Sequence, residues 1–192
     1  MVTAQNGTSP EHTITALVQD KPGVLNRITS MFRRRGYNIA SLAVGPSEIP
    51  DLSRMTFVVQ GDVRTIEQVS KNLNKLIDVI KVVDVDDDNS VWRELALLRV
   101  KWNTQPLSEV KTIVDIFGAK IVDTAPESLI IEVTGKSNKV DDLVNNLTGF
   151  GFQVQEVMRT GVVAMSRSSI EGDSRRRVRA DRPAVKWESG SV

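Results

Sequence analysis

Residues 12–44 read HTITALVQDKPGVLNRITSMFRRRGYNIASLAV, and this stretch decides the fold. His12 to Val18 alternates and is β-branched, the pattern of a strand with one buried face. Asp20-Lys21-Pro22-Gly23 turns the chain. Val24, Ile28 and Met31 then fall at i, i+4 and i+7, and Leu25, Ile28 and Phe32 at i, i+3 and i+7, so an amphipathic helix follows. Arg33, Arg34 and Arg35 occupy its last turn, where cations complement the helix dipole. Gly36 stops it, and Asn38 to Val44 alternates again as a strand.

Working outward, Gly45 to Ser53 reads as a loop by its Pro and Gly content, and Met55 to Val59 as the second strand of a hairpin. Ile66, Val69, Leu73 and Leu76 mark a second helix, and Val79 to Val85 a closing strand. The order is β-α-β-β-α-β. Asp86-Asp87-Asp88-Asn89-Ser90 breaks the pattern and places a domain boundary. The order then repeats. Leu95 to Val100 is a strand, and Val110, Ile113, Val114 and Phe117 mark a helix ending at Gly118. Lys120 to Asp123 and Leu129 to Val133 are strands joined across Thr124 to Ser128. Val140, Leu143, Val144 and Leu147 mark a helix ended by Gly149 or Gly151, and Phe152 to Val157 is the last strand, with a continuation through Gly161 to Met165 left open. A duplicated order of this kind is a fold-level signal. The expected class is α+β, two ferredoxin-like βαββαβ domains over 12–86 and 92–166. An N-terminal extension (1–11), a linker (87–91) and a basic tail (167–192) complete the chain. In this topology two helices cover one face of each sheet and leave the other uncovered, which invites pairing with a second copy; an oligomer, at least a dimer, is expected.

Composition narrows the function. The 192 residues are 40% hydrophobic, 26% charged and 5% aromatic with net charge +1, the balance of a soluble globular protein. With no Cys and one His, thiolate metal sites, Cys nucleophiles and two-imidazole mechanisms are excluded. No window approaches the roughly 18–20 apolar residues of a membrane span, and Met1 to Pro10 does not read as a targeting segment, so a reducing, cytoplasmic setting is expected. From Ser166 onward seven basic residues face four acidic ones, a tail of net +3 with little apolar periodicity that reads as disordered.

The most informative loop is Asp20 to Leu25. Gly23 lets a ligand approach the backbone N–H groups at the helix start, which with the dipole make a seat for a carboxylate. Asp20 could take an ammonium. Asn38 lies toward the opposite end of the helix, so it could share a ligand with this loop only across a protomer interface. A small amino acid carries that pair of charges, and its apolar side chain could rest on Val24, Leu25 and Ile39. The same residues also make an ordinary turn and helix start, with Pro setting φ and Gly relieving strain. Asp84, Asp86, Asp87 and Asp88 lack EF-hand spacing, so no metal site is expected there. His12 reads as a surface or interface residue, and Trp92 and Trp102 as packing or interface residues.

The runs Asp20-Lys21-Pro22-Gly23-Val24-Leu25, Arg35-Gly36-Tyr37-Asn38-Ile39-Ala40-Ser41-Leu42 and Leu52-Ser53-Arg54-Met55-Thr56 resemble the ACT-domain regulatory (small) subunits of acetolactate synthase, also called acetohydroxyacid synthase. The likeness continues through Trp92-Arg93-Glu94-Leu95, Ile116-Phe117 and Gly161-Val162-Val163-Ala164-Met165-Ser166-Arg167, spanning about 12–168. The resemblance implies an N-terminal ACT domain that forms homodimers and binds valine between protomers. Asp20, Gly23, Val24 and Leu25 would come from one protomer, Asn38 and Ile39 from its neighbour. Some relatives carry Asn where this chain has Asp20. The resemblance further implies activation of a separate catalytic large subunit, which would hold thiamine diphosphate, Mg and FAD, and feedback inhibition in branched-chain amino-acid (valine, isoleucine, leucine) biosynthesis. This chain itself would carry no cofactor and no catalytic residue.

Other classes fit less well. A free-standing amino-acid-sensing ACT protein shares the first motif alone. RNA-recognition domains share the topology but stack bases on aromatic residues of their central strands; Met55 to Gln60 offers only Phe57, and Ser128 to Thr134 none, so no nucleic-acid partner is expected. A free-standing enzyme would need paired carboxylates, a nucleophile with its base or a phosphate-cradling glycine motif, and none stands out.

Overall fold

The computed structural model describes residues 10–85, 88–101 and 107–167. The first unit runs β1 (Glu11–Gln19), α1 (Val24–Arg35), β2 (Asn38–Pro46), β3 (Leu52–Gln60), α2 (Val63–Leu73) and β4 (Val79–Val85). Its strands pair antiparallel in the order β2-β3-β1-β4. The second unit runs β5 (Ser90–Lys101), α3 (Leu107–Ile116), β6 (Lys120–Ala125), β7 (Ser128–Gly135), α4 (Ser137–Gly149), β8 (Gln153–Arg159) and β9 (Val163–Ser166). Here the order is β6-β7-β5-β8, with β9 paired to the start of β5. The α+β class and the repeated ferredoxin-like order are as the periodicity implies.

Each core forms where the alternating face of a sheet meets the helical stripes. Ile14, Ala16 and Val18 of β1 and Met55, Phe57 and Val59 of β3 pack with Val24, Ile28, Met31 and Phe32 of α1 and Ile66, Val69 and Leu73 of α2. Phe32 stacks on Phe57 at 5.3 Å between ring centroids and meets the edge of Tyr37 at 6.0 Å. In the second unit Ala96, Leu98, Val100, Leu129, Ile131 and Val133 play the sheet's part beneath Val110, Ile113, Val114, Val140, Leu143 and Leu147. The duplication extends to helix ends. Gly36 is left-handed with φ 69, its amide donates to Arg33 O, and Tyr37 N donates to Phe32 O; Gly118, with φ 54, repeats the pattern through Asp115 O and Val114 O.

Four local readings change. The loop expected over 45–53 shrinks to 47–51, because Gly45 and Pro46 remain paired with Arg54 and Ser53. Leu76 lies beyond α2, which ends at Leu73, yet still packs against the core from the following turn. The strand expected to start at Leu95 starts at Ser90, since Ser90 to Arg93 pair with Val163 to Ser166. The open question after Val157 is resolved by a break: Thr160, Gly161 and Val162 separate β8 from β9.

The expectation that the sheet face opposite the helices is left uncovered does not hold for the first unit. Thr13, Val58 and Val85 are neighbours on that face and all are buried. The ribbon of early β5 and β9 lies against it, with contacts between β9 and β4 at one side and between Val162 and Ser41 at the other. In the second unit the face does stay open, with Leu97 and Met158 paired across β5 and β8 and both exposed. Residues 1–9, Asp86, Asp87, Trp102 and 168–192, which include nearly all of the basic tail, lie outside the described residues.

α2 is capped by Asp62, whose carboxylate accepts from Thr65 Oγ1 at 2.6 Å and Thr65 N at 2.8 Å. These bonds, the hydroxyl's first, hold its carboxyl below the ordinary aspartate value of 3.8. A lowered native pKa stabilises above the unfolded value and is lost as pH falls through the native one. The melting-temperature difference between wild type and Asp62→Ala should therefore be largest near neutrality and close as pH falls below 3.8, as thermal melts over a pH series would show.

Candidate functional site

At the end of β1 the backbone is held from both sides. Gln19 N donates to Asp78 O at 2.9 Å and Asp20 N to Asp51 O at 2.8 Å. Asp51 pays for its position with a left-handed φ of 61, a conformation that Asp tolerates better than most residues. Asp78 also accepts from Arg27 Nη1 at 2.7 Å, which ties the first turn of α1 to the start of β4. The segment from Asp20 to Leu25 is thus gripped by the β2–β3 loop on one side and the α2–β4 turn on the other. Asp51, Asp78 and Arg27 escaped the sequence reading because Arg27 and Asp78 are 51 positions apart; only the Pro50-Asp51 turn chemistry left a local trace.

Within this frame α1 begins at Gly23, with φ 87, and no side chain caps it and no acidic residue occupies its first turn. The first intrahelical bond runs from Arg27 N to Gly23 O, and Val24 N turns back to Lys21 O. Helix geometry therefore leaves the Leu25 and Asn26 amides as the donors without an intrahelical acceptor. A Cβ built on Gly23 would meet nothing within 4 Å, so the space beside Gly23 at the helix start is open. Such a helix start attracts an anion. Asp20 is exposed beside it, and Leu25 is 45% exposed. Val24 is different: its side chain is buried in the core, so only its backbone faces this region. The flanking loops add exposed Ile49 and Ile77 to the rim.

Asn38 and Ile39 sit elsewhere in the same chain. Asn38 is paired with Gln60, and Gln60 with Glu11, at the far end of the sheet from the Gln19↔Leu52 pair. Eight residue steps at the usual strand rise put that end about 26 Å from Gln19, the residue before Asp20. Asn38 Nδ2 donates to Gln60 Oε1 at 2.5 Å, and Gln60 Nε2 donates to Glu11 Oε1 at 3.2 Å. Ile39 packs partly against the core. One chain thus brings Asp20, Gly23 and Leu25 together and keeps Asn38 and Ile39 apart from them. Phe57 points into the core at 0% exposure, so it offers no ring for stacking a base. Among the described residues no group of three or more metal-ligating side chains gathers, and no helix is long and apolar enough to cross a membrane.

Residues 14–81 match the model of the AHAS small subunit-like ACT domain, and residues 93–168 that of the small subunit of acetolactate synthase. The acetolactate synthase small subunit of Mycolicibacterium smegmatis is 49% identical over 162 residues, covering 84% of this chain and 94% of the relative. The chain belongs to the acetolactate synthase small-subunit family. A relative described as a probable acetolactate synthase small subunit in Archaeoglobus fulgidus is 49% identical over 83% of this chain and 98% of its own length. The crystal structure of the acetolactate synthase small subunit from Thermotoga maritima superposes with a TM-score of 0.78 at 44% identity, covering 84% of this chain and 99% of that one. The two family models thus fall one on each unit. The Gly23 turn should be sensitive to any side chain: Gly23→Ala should lower the unfolding free energy by about 1–2 kcal/mol through the left-handed backbone alone, measured by equilibrium denaturation.

Proposed function

We propose that this chain is the regulatory subunit of an acetolactate synthase: it activates a separate catalytic large subunit and confers feedback inhibition by valine. The observation that carries the effector reading is the uncapped, left-handed start of α1 with open space before it. Its two orphan amides and the helix dipole suit the carboxylate of an amino acid, the carboxylate of Asp20 suits its ammonium, and Leu25 and the rim residues suit a branched apolar side chain.

The second half of the site comes from another copy. β2 is an edge strand, and an edge presents unpaired backbone groups to a partner. Antiparallel pairing of two β2 strands about a two-fold axis carries Asn38 of one protomer toward the Pro46 end of its partner, where the partner's Asp20 to Leu25 turn lies. The distance that separates Asn38 and Ile39 from Gly23 within one chain thereby becomes the reason that valine would bind between two. Valine would then favour one arrangement of the dimer, and a useful response requires a differential affinity of order 1–3 kcal/mol. The catalytic subunit, not this chain, would hold thiamine diphosphate, Mg and FAD. The setting would be branched-chain amino-acid synthesis in the cytoplasm.

Calorimetric titration of the full chain with valine tests the reading. Heat of binding at up to millimolar ligand is expected; its absence would remove the effector role. Gly23→Leu fills the space before the helix start at nearly the same backbone cost as Gly23→Ala. It should abolish valine inhibition of the reconstituted synthase while leaving activation, whereas Gly23→Ala should retain part of the inhibition. Loss of activation in both variants would mean that the turn is structural.

A further inference from the structure

β2 carries Asn38 and Ile39, and it also touches the second unit. Its ladder to β3 shifts register between Ile39 and Ser41. Immediately after that irregularity, Ser41 Oγ accepts a hydrogen bond from Val162 N at 3.0 Å. Gly161, with φ +81, comes so close that a Cβ there would lie 2.8 Å from Ser41 Oγ and 3.1 Å from Leu42 O. No side chain fits at that approach without displacing backbone.

On the other side the Thr160–Val162 turn is fixed to its own unit. Thr160 N donates to Leu95 O at 3.0 Å, and Leu95 N donates to Thr160 Oγ1 at 3.2 Å. Arg159 pairs with Asp141 and, at 3.5 Å, with Glu94, which is 4% exposed and also accepts from Ser137 Oγ. Around the contact the units part into a cleft of about 680 Å³ lined by Ser41, Leu42, Val58, Trp92, Arg159 and Gly161 among others. The docked arrangement carries a cost of its own. Thr13 Oγ1 on the sheet face, and Ser90 Oγ and Trp92 Nε1 on the ribbon, are buried without hydrogen-bond partners, and a small separation of the units would hydrate them. A turn held firmly by its own unit is thus seated at one point on the other, across an interface with unmet polar groups.

We propose that the Gly161–Val162 turn seated on Ser41 is the joint through which the state of β2 reaches the second unit, Ser41 and Gly161 acting as positioning residues. The inference rests on the effector reading above, since it takes an effector at Asn38 and Ile39 as what changes the state of β2. The effector end of β2 is two residues from the joint, so a shift at Ile39 passes through the irregular step to Ser41 and moves the turn, and with it β5, β8 and β9.

Two full-length variants test the joint. Ser41→Ala removes the acceptor, and Gly161→Ala drives a methyl group against Ser41 Oγ and Leu42 O. Hydrogen exchange at the Val162 amide should accelerate about tenfold or more in both. Valine should bind the isolated variant chains within about twofold of wild type, while inhibition of the reconstituted synthase at saturating valine should fall below about half its wild-type extent. Full inhibition despite accelerated exchange would overturn the proposal, and so would loss of valine binding in both variants, which would make the contact part of the pocket. If the wild-type chain binds no valine, the effector reading fails separately; the joint then stands or falls on exchange, and an unchanged Val162 rate in Ser41→Ala overturns it.

Discussion

Each four-stranded antiparallel sheet in this protein carries both of its helices on one face, and the rest of the structure answers that constraint. A sheet with alternating apolar residues and only two helices to bury them has a second face that must be covered or hydrated. The first unit covers part of it with a ribbon borrowed from the second: β5 begins early, at Ser90, and pairs there with β9 before entering its own core. One strand therefore serves two units. Its even-numbered positions bury Ala96, Leu98 and Val100 under α3 and α4, and near its start Trp92 lines a cleft with Thr13 and Val58 of the first sheet.

Much of this was legible in the sequence. The i, i+3, i+4, i+7 spacing over Val24 to Phe32 and the glycine after three arginines located α1 and its end, and the repeat of the same order located the second unit. What escaped has physical causes. Gly45, Pro46, Leu52 and Ser53 look like loop residues, but the ladder of a hairpin fixes their conformation from across the strand, which local propensity does not register. The early start of β5 depends on a partner more than 70 residues away in β9. At the candidate site the turn Asp20 to Gly23 could be read directly, while the grip on it by Asp51 and Asp78 is tertiary. Val24 shows the limit of a motif: it belongs to the recognisable run, yet its side chain serves the core and only its backbone borders the site.

The separation of Asn38 from Gly23 gives the functional account its shape. On the proposed reading the two ends of one sheet would supply the two halves of an effector site, so that ligand binding would report on assembly; β2, which carries Asn38 and Ile39, also contacts the second unit. Family membership supplies the setting in which such an arrangement has a use.

The central claim is that the start of α1 receives the carboxylate of an amino acid through the Leu25 and Asn26 amides. The most direct measurement follows the backbone amide resonances of the ¹⁵N-labelled chain during titration with valine. The account predicts that Leu25 and Asn26 show the large downfield shifts of amides that gain a charged acceptor, together with a change at Asn38. Saturable binding of valine that leaves Leu25 and Asn26 unmoved would contradict it.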